Sequence, residues 1–125
     1  MINQILFISS AYLIGSLSFG IIISKSLKLS DPRTIGSKNP GATNVMRTGS
    51  KLAAILTLFG DILKATIVVT VAIFFNLNDL ELMQVTLAVL IGHTYPIYYN
   101  FKGGKGVATA LGILLASNWI LAICV

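Results

Sequence analysis

The sequence predicts an all-α, polytopic integral membrane protein with four transmembrane helices in a single domain, and three observations predict it. Only 10% of the 125 residues are charged while 55% are hydrophobic, against about 25% charged in a soluble domain. Residues 1–24, 82–101 and 106–125 contain no Asp, Glu, Lys or Arg, and each run reaches the ~20 residues that a helix needs to cross a bilayer. The cations fall on one side of these runs: six lie between the first and second predicted helices and two between the third and fourth, eight of the nine in the chain. Loops rich in Lys and Arg stay cytosolic, so both basic connections face the cytosol and the N-terminus faces outward.

The first helix is expected over about 4–24. No basic segment precedes its apolar run, which argues against a cleaved signal peptide. Ser16, Gly20 and Ser24 stand one turn apart on one face, a spacing that suits close helix packing. The connection 25–51 is too long for a simple turn, and connections of that length are usually functional or disordered. It carries "GSKNPGATNVMR", Gly36 to Arg47, in which Pro40 and Gly41 shape a turn and Ser37, Asn39, Thr43 and Asn44 stand beside Lys38 and Arg47. The guanidinium of Arg47 offers a planar fork suited to phosphate oxygens; the bland alternative is a polar loop whose cations only set topology.

The second helix, 52–75, is apolar except for Asp61 and Lys64. Lys64 lies thirteen residues past Lys51, roughly 20 Å along a helix axis, where a charge costs about 2.5–3.5 kcal/mol on insertion scales. The two stand at i and i+3, so they form an ion pair or line a polar site, and in both cases their face turns inward. The short acidic loop with Asp79 and Glu81 follows, and Asn78 with Glu81 has the spacing of a capping box for a third helix over 80–98. Pro96 closes or kinks that helix. His93 sits near its end, as a hydrogen-bonded structural residue or as a base.

The connection 99–105 leads into the fourth helix, 106–125, through "NFKGGKGVAT". No Walker loop is present, because Gly106 follows Lys105 where Ser or Thr is required; a dinucleotide fingerprint fails at Thr109. What remains is an anion cradle built from the backbone of Gly103, Gly104 and Gly106, Lys105 and the helix start, or else a Gly-rich turn with topology-setting lysines. The lone Cys124 supports neither a disulfide nor a metal site. The net charge of +5 does not point to nucleic acid, since the cations cluster at one membrane face. Two basic loops on one face suit a substrate with a phosphate head and an apolar tail.

Two segments, "SKNPGATNVMR" (Ser37 to Arg47) and "GHTYPIYYNFKGGKGVAT" (Gly92 to Thr109), resemble signatures of the bacterial acyl-phosphate:glycerol-3-phosphate acyltransferase family. "AYLIGSLSFG" (Ala11 to Gly20) and "GDILKA" (Gly60 to Ala65) are similar to it as well, with Ser18 where the family often has proline and Ala65 where it usually has glycine. The resemblance implies a seven-helix enzyme of the bacterial plasma membrane. Such an enzyme moves a fatty acyl group from acyl phosphate to the 1-hydroxyl of glycerol 3-phosphate, giving lysophosphatidic acid and phosphate, with no metal or other cofactor. It implies Arg47 and Lys105 on the glycerol 3-phosphate and Ser37 orienting the attacking hydroxyl. Asn39, Thr43 and Asn44 belong to the first binding loop, and Gly103, Gly104 and Gly106 cradle the acyl-phosphate head with Lys64 nearby. His93 is a secondary candidate for the base, after the departing phosphate itself. The family's third signature, with His, Asn and Glu near the C-terminus, has no counterpart, so the resemblance implies truncation within the fourth helix. A non-catalytic protein that binds or conducts phosphate-bearing anions, or an inactive fragment, stays open as the alternative; acyl-chain preference and oligomeric state are not legible.

Overall fold

The computed structural model describes all residues, Met1–Val125, and is entirely helical. Helices α1 (Ile2–Gly15) and α2 (Phe19–Ser26) are followed by a short α3 (Ala42–Met46) within the long connection. Then come α4 (Lys51–Phe74), α5 (Asp79–Thr94), α6 (Val107–Ser117) and α7 (Trp119–Cys124).

The centre of the molecule is α4. Ser50 caps it, its hydroxyl accepting from Ala53 N at 3.1 Å. At 24 residues it extends about 36 Å. Its buried face is small or polar (Ala53, Ala54, Thr57, Asp61, Lys64, Ala65), whereas Leu52, Ile55, Phe59, Leu63, Ile67 and Phe74 are exposed. That inversion of a soluble helix suits a lipid environment, where small residues let backbones approach and polar groups face inward.

The continuous helix expected over 4–24 is two helices in the structure, bent by 44°. Ser18 is extended (φ −95°, ψ 102°), and the ammonium of Lys64 reaches the break, donating to Gly15 O at 3.0 Å and Leu17 O at 2.6 Å. Hydropathy reports an apolar run but not a change of backbone direction within it. The other two spans are corrected in the same sense. The third helix ends at Thr94 rather than 98, ahead of Pro96, and the fourth is interrupted at Asn118 (φ −157°), whose side chain caps α7. Only α4 is by itself long and apolar enough to cross a membrane, with the bent α1–α2 pair as a second span if taken as one.

At the start of α5, Asn78 accepts from Glu81 N while Glu81 accepts from Asn78 N, both at 3.0 Å. Helix α5 packs on α1 through Gly15 and Gly92, where a Cβ on either residue would run into the other helix's backbone. Ala11, Ala65, Val68, Ala72, Val85, Ala88 and Val89 fill the core between α1, α4 and α5. These crossings bring the connection around α3, the middle of α4, the end of α5 and the start of α6 to one place.

Candidate active site

A cavity of about 340 Å³ opens where those four segments meet. Ser37, Asn39, Thr43, Asn44 and Arg47 line it from the first basic connection, and Lys105 and Gly106 from the second; Asp61 and His93 lie between them. These nine side chains and glycines, all singled out in the sequence, thus share one wall system, although they come from four separate parts of the chain.

The first connection owes its shape to Asn44. Its amide donates to Pro32 O at 2.6 Å and Ile35 O at 3.1 Å, and its oxygen accepts from Ser37 N at 3.2 Å. Every hydrogen-bonding group of this buried side chain faces the protein, so Asn44 borders the cavity as the pin of the loop and not as a free ligand. Asn39 turns the chain locally by accepting from Gly41 N at 2.9 Å. Gly20 on α2 leaves the space into which the Pro40 carbonyl presses, tying the loop to the helix.

The two arginines of this connection differ in what they meet. Arg33 forms a two-pronged pair with Asp31, 2.7 Å between Nη2 and Oδ2, and lies over the ring of Tyr99. Its hydrogen bond to Arg33 holds the Asp31 carboxyl below the ordinary carboxylate range. Arg47 has no carboxylate; the one protein hydrogen bond of its guanidinium is a long 3.4 Å contact to Asn44 Oδ1. The cation bordering the cavity is therefore the one left available for an external anion.

The glycines of the second connection have a different role from the expected cradle. Gly103 N donates to Thr94 O and Gly104 N to His93 O, both at 3.1 Å. Neither residue lines the cavity. A Cβ on Gly103 would overlap the His93 carbonyl, and one on Gly104 would overlap the His93 ring. These two glycines let the loop lie flat on His93. Uncapped amides lie further on, at the start of α6, where Gly106 is left-handed (φ 85°), no side chain caps the helix, and Val107 and Ala108 border the cavity. First-turn amides have no helical acceptor and carry the positive end of the helix dipole.

Lys64 also departs from expectation, since it does not line the cavity. Besides the two carbonyls of the α1–α2 break, its ammonium lies 2.9 Å from His93 Nδ1 and 3.0 Å from Asp61 Oδ1. Four acceptors surround a buried cation, which leaves it nothing for a phosphate. Sequence reasoning left unassigned the apolar wall of Leu58, Val107 and Leu111. Leu58 could have been found as the residue one turn before Asp61 on the inward face of α4; nothing local marks Leu111.

The family described as glycerol-3-phosphate acyltransferase matches residues 5–125. A protein of that name from Methylobacillus flagellatus is 56% identical over 120 residues, covering 96% of this chain and 61% of its own length. One from Burkholderia multivorans is 56% identical over 113 residues, covering 90% of this chain and 53% of its own. Among solved structures, PlsY, described as an integral membrane glycerol 3-phosphate acyltransferase, superposes in its glycerol 3-phosphate form with a TM-score of 0.90. That match has 42% identity over 98% of this chain and 61% of PlsY. Its lysophosphatidic acid form gives 0.88 and 41%, over 98% and 60%. The chain spans between about half and three fifths of the length of these relatives.

Proposed function

The chain belongs to the glycerol-3-phosphate acyltransferase family, and from that premise we propose that it transfers a fatty acyl group from acyl phosphate to the 1-hydroxyl of glycerol 3-phosphate. The products are lysophosphatidic acid and inorganic phosphate. The observation that carries this reading is the convergence of Arg47, Lys105 and the uncapped start of α6 on one cavity with an apolar wall. Two phosphate-bearing substrates must meet, and they need cations and amide donors in one place. The acyl tail needs the apolar side.

In this reading Arg47 and Lys105 hold the phosphate of glycerol 3-phosphate, and Ser37 orients its 1-hydroxyl. The amides from Lys105 to Ala108 hold the acyl-phosphate head, with Leu58, Val107 and Leu111 along the start of the acyl chain. The hydroxyl oxygen attacks the acyl carbon, the new ester C–O bond forms, and the bond to the phosphate oxygen breaks. The hydroxyl proton passes to the departing phosphate. Acyl phosphate is a mixed anhydride and already activated, so no covalent enzyme intermediate is required. Thr43 and Asn39 complete the rim, and Asn44 keeps the loop in register.

The protein is placed in this reading in the bacterial plasma membrane, with four hydrophobic segments in the bilayer, the N-terminus outside and both basic connections cytosolic. The bent α1–α2 pair and the interrupted α6–α7 pair then each cross as one segment. Phosphate release from acyl phosphate, measured in membranes lacking the host activity, tests the reaction. Release only when glycerol 3-phosphate is also present supports acyl transfer, whereas acyl phosphate left intact with both present means a binder, a carrier or an inactive chain.

A further inference from the structure

Lys64, His93 and Asp61 form a buried cluster in which His93 and Asp61 border the cavity and Lys64 lies behind them. His93 Nδ1 lies 2.9 Å from Lys64 Nζ and 3.7 Å from Asp61 Oδ1. The ring's one hydrogen bond is at Nδ1; its Nε2 side lies against Gly104, and the residue borders the cavity. The Lys64 nitrogen also meets three oxygens, Gly15 O, Leu17 O and Asp61 Oδ1, at 2.6–3.0 Å. An ammonium directs one hydrogen each at Gly15 O, Leu17 O and His93 Nδ1 and balances the Asp61 carboxylate, whose Oδ1 lies 3.0 Å away as an ion-pair contact without a hydrogen bond. An amine accepting from Nδ1–H could still serve the two carbonyls but would leave the carboxylate charge uncompensated at 2% exposure, which is costly. An ammonium has no lone pair, so Nδ1 must accept and the ring proton sits on Nε2.

We propose that Lys64 is a positioning residue that locks His93 as the Nε2–H tautomer, so that His93 donates a hydrogen bond to a substrate phosphate oxygen and does not act as a general base. The assignment of that oxygen rests on the acyltransfer reading; the tautomer rests on the contacts of Lys64 and its charge balance with Asp61. Lys64 thereby joins two features of the fold, the break between α1 and α2 and the orientation of the ring. Gly103 and Gly104 complete the arrangement by clamping His93 from the other side through its own carbonyl and that of Thr94.

His93 is the single histidine of the chain, so 15N-histidine labelling of the full chain in detergent micelles gives one imidazole to observe. At neutral pH the Nε2–H tautomer is expected in roughly tenfold excess or more, the scale of one charge-assisted hydrogen bond. Added glycerol 3-phosphate is expected to shift the Nε2 resonance while Nδ1 stays unprotonated. In Lys64→Met the excess is expected to collapse, and in Asp61→Asn, which keeps the ammonium, to persist. A parent spectrum showing Nδ1–H or an imidazolium overturns the proposal even if Lys64→Met fails to fold. An Nε2–H tautomer in a chain without acyl transfer would support the lock while sinking the function it was assigned.

Discussion

Removing Lys64 and Asp61 singly and together gives a prediction whose sign, not just its size, follows from the structure. Lys64→Met leaves Asp61 as a buried carboxylate without its cation, a change that costs about 3–5 kcal/mol for pairs of this kind. It also leaves Gly15 O and Leu17 O at the α1–α2 break without a donor, at about 1–3 kcal/mol each. The single variant should therefore lose roughly 5 kcal/mol or more, much of a typical folding free energy. Asp61→Asn added to Lys64→Met removes the stranded charge but not the two orphan carbonyls. The double variant should be more stable than Lys64→Met by about 3–5 kcal/mol while remaining below the parent. Thermal unfolding in one detergent, with expression level as a second reading for the weakest variant, measures the order. A double variant no more stable than Lys64→Met would refute the claim that Lys64 neutralises Asp61 across the 3.0 Å contact.

Three further outcomes follow from other parts of the molecule. Gly104→Ala would drive a methyl carbon into His93 Nε2, with Cε1 at 2.9 Å and Cδ2 at 3.3 Å, so ring and loop must separate; with misplacement near 1 Å costing on the order of 100-fold, turnover should fall on that scale while the chain still folds, and unchanged turnover would dissociate the loop from the reaction. Arg47→Lys keeps the charge but loses the planar fork, so it should weaken glycerol 3-phosphate affinity less than Arg47→Ala yet not restore it, as read by isothermal titration. The Asp31–Arg33 pair sets a pH dependence of the first connection: with the folded-state value depressed by Arg33, its stabilisation is present above the unfolded value of 3.8 and fades as pH falls through the folded one. Proteolysis of the 27–41 segment should therefore accelerate at low pH in the parent and be flat over that window in Asp31→Asn, with a small amplitude because both side chains are 35% exposed.

Charge placement and residue type made part of this legible. Arg47 and Lys105 stand out in the sequence as candidate anion ligands because cations and small polar residues cluster in two connections, and the structure brings those connections to one cavity. The inward face of Asp61 and Lys64 was legible from spacing alone. Their ion pair was one of the two readings that the spacing offered, and the structure has it at 3.0 Å; the other partners of Lys64 were not legible. Lys64 was expected near a phosphate, but the carbonyls it satisfies exist only because the first helix breaks at Leu17–Ser18, a feature invisible to hydropathy. Gly103 and Gly104 were read as ligand-approach glycines, yet the close approach is to His93 from the preceding helix, and sequence carries no sign of which backbone a glycine faces. The over-long third helix and the unbroken fourth share one cause: the apolar run continues through Pro96 and Asn118, whereas the third helix has ended by Thr94 and the fourth is interrupted before it resumes as α7.

The most direct test of the central claim is acyl transfer from acyl phosphate to labelled glycerol 3-phosphate, in membranes lacking the host activity, by the parent chain, Arg47→Ala and Lys105→Ala. Labelled lysophosphatidic acid from the parent and its loss in both variants is the predicted result. Product formed undiminished by either variant, or none formed by the parent, would contradict the account that this cavity joins the two substrates.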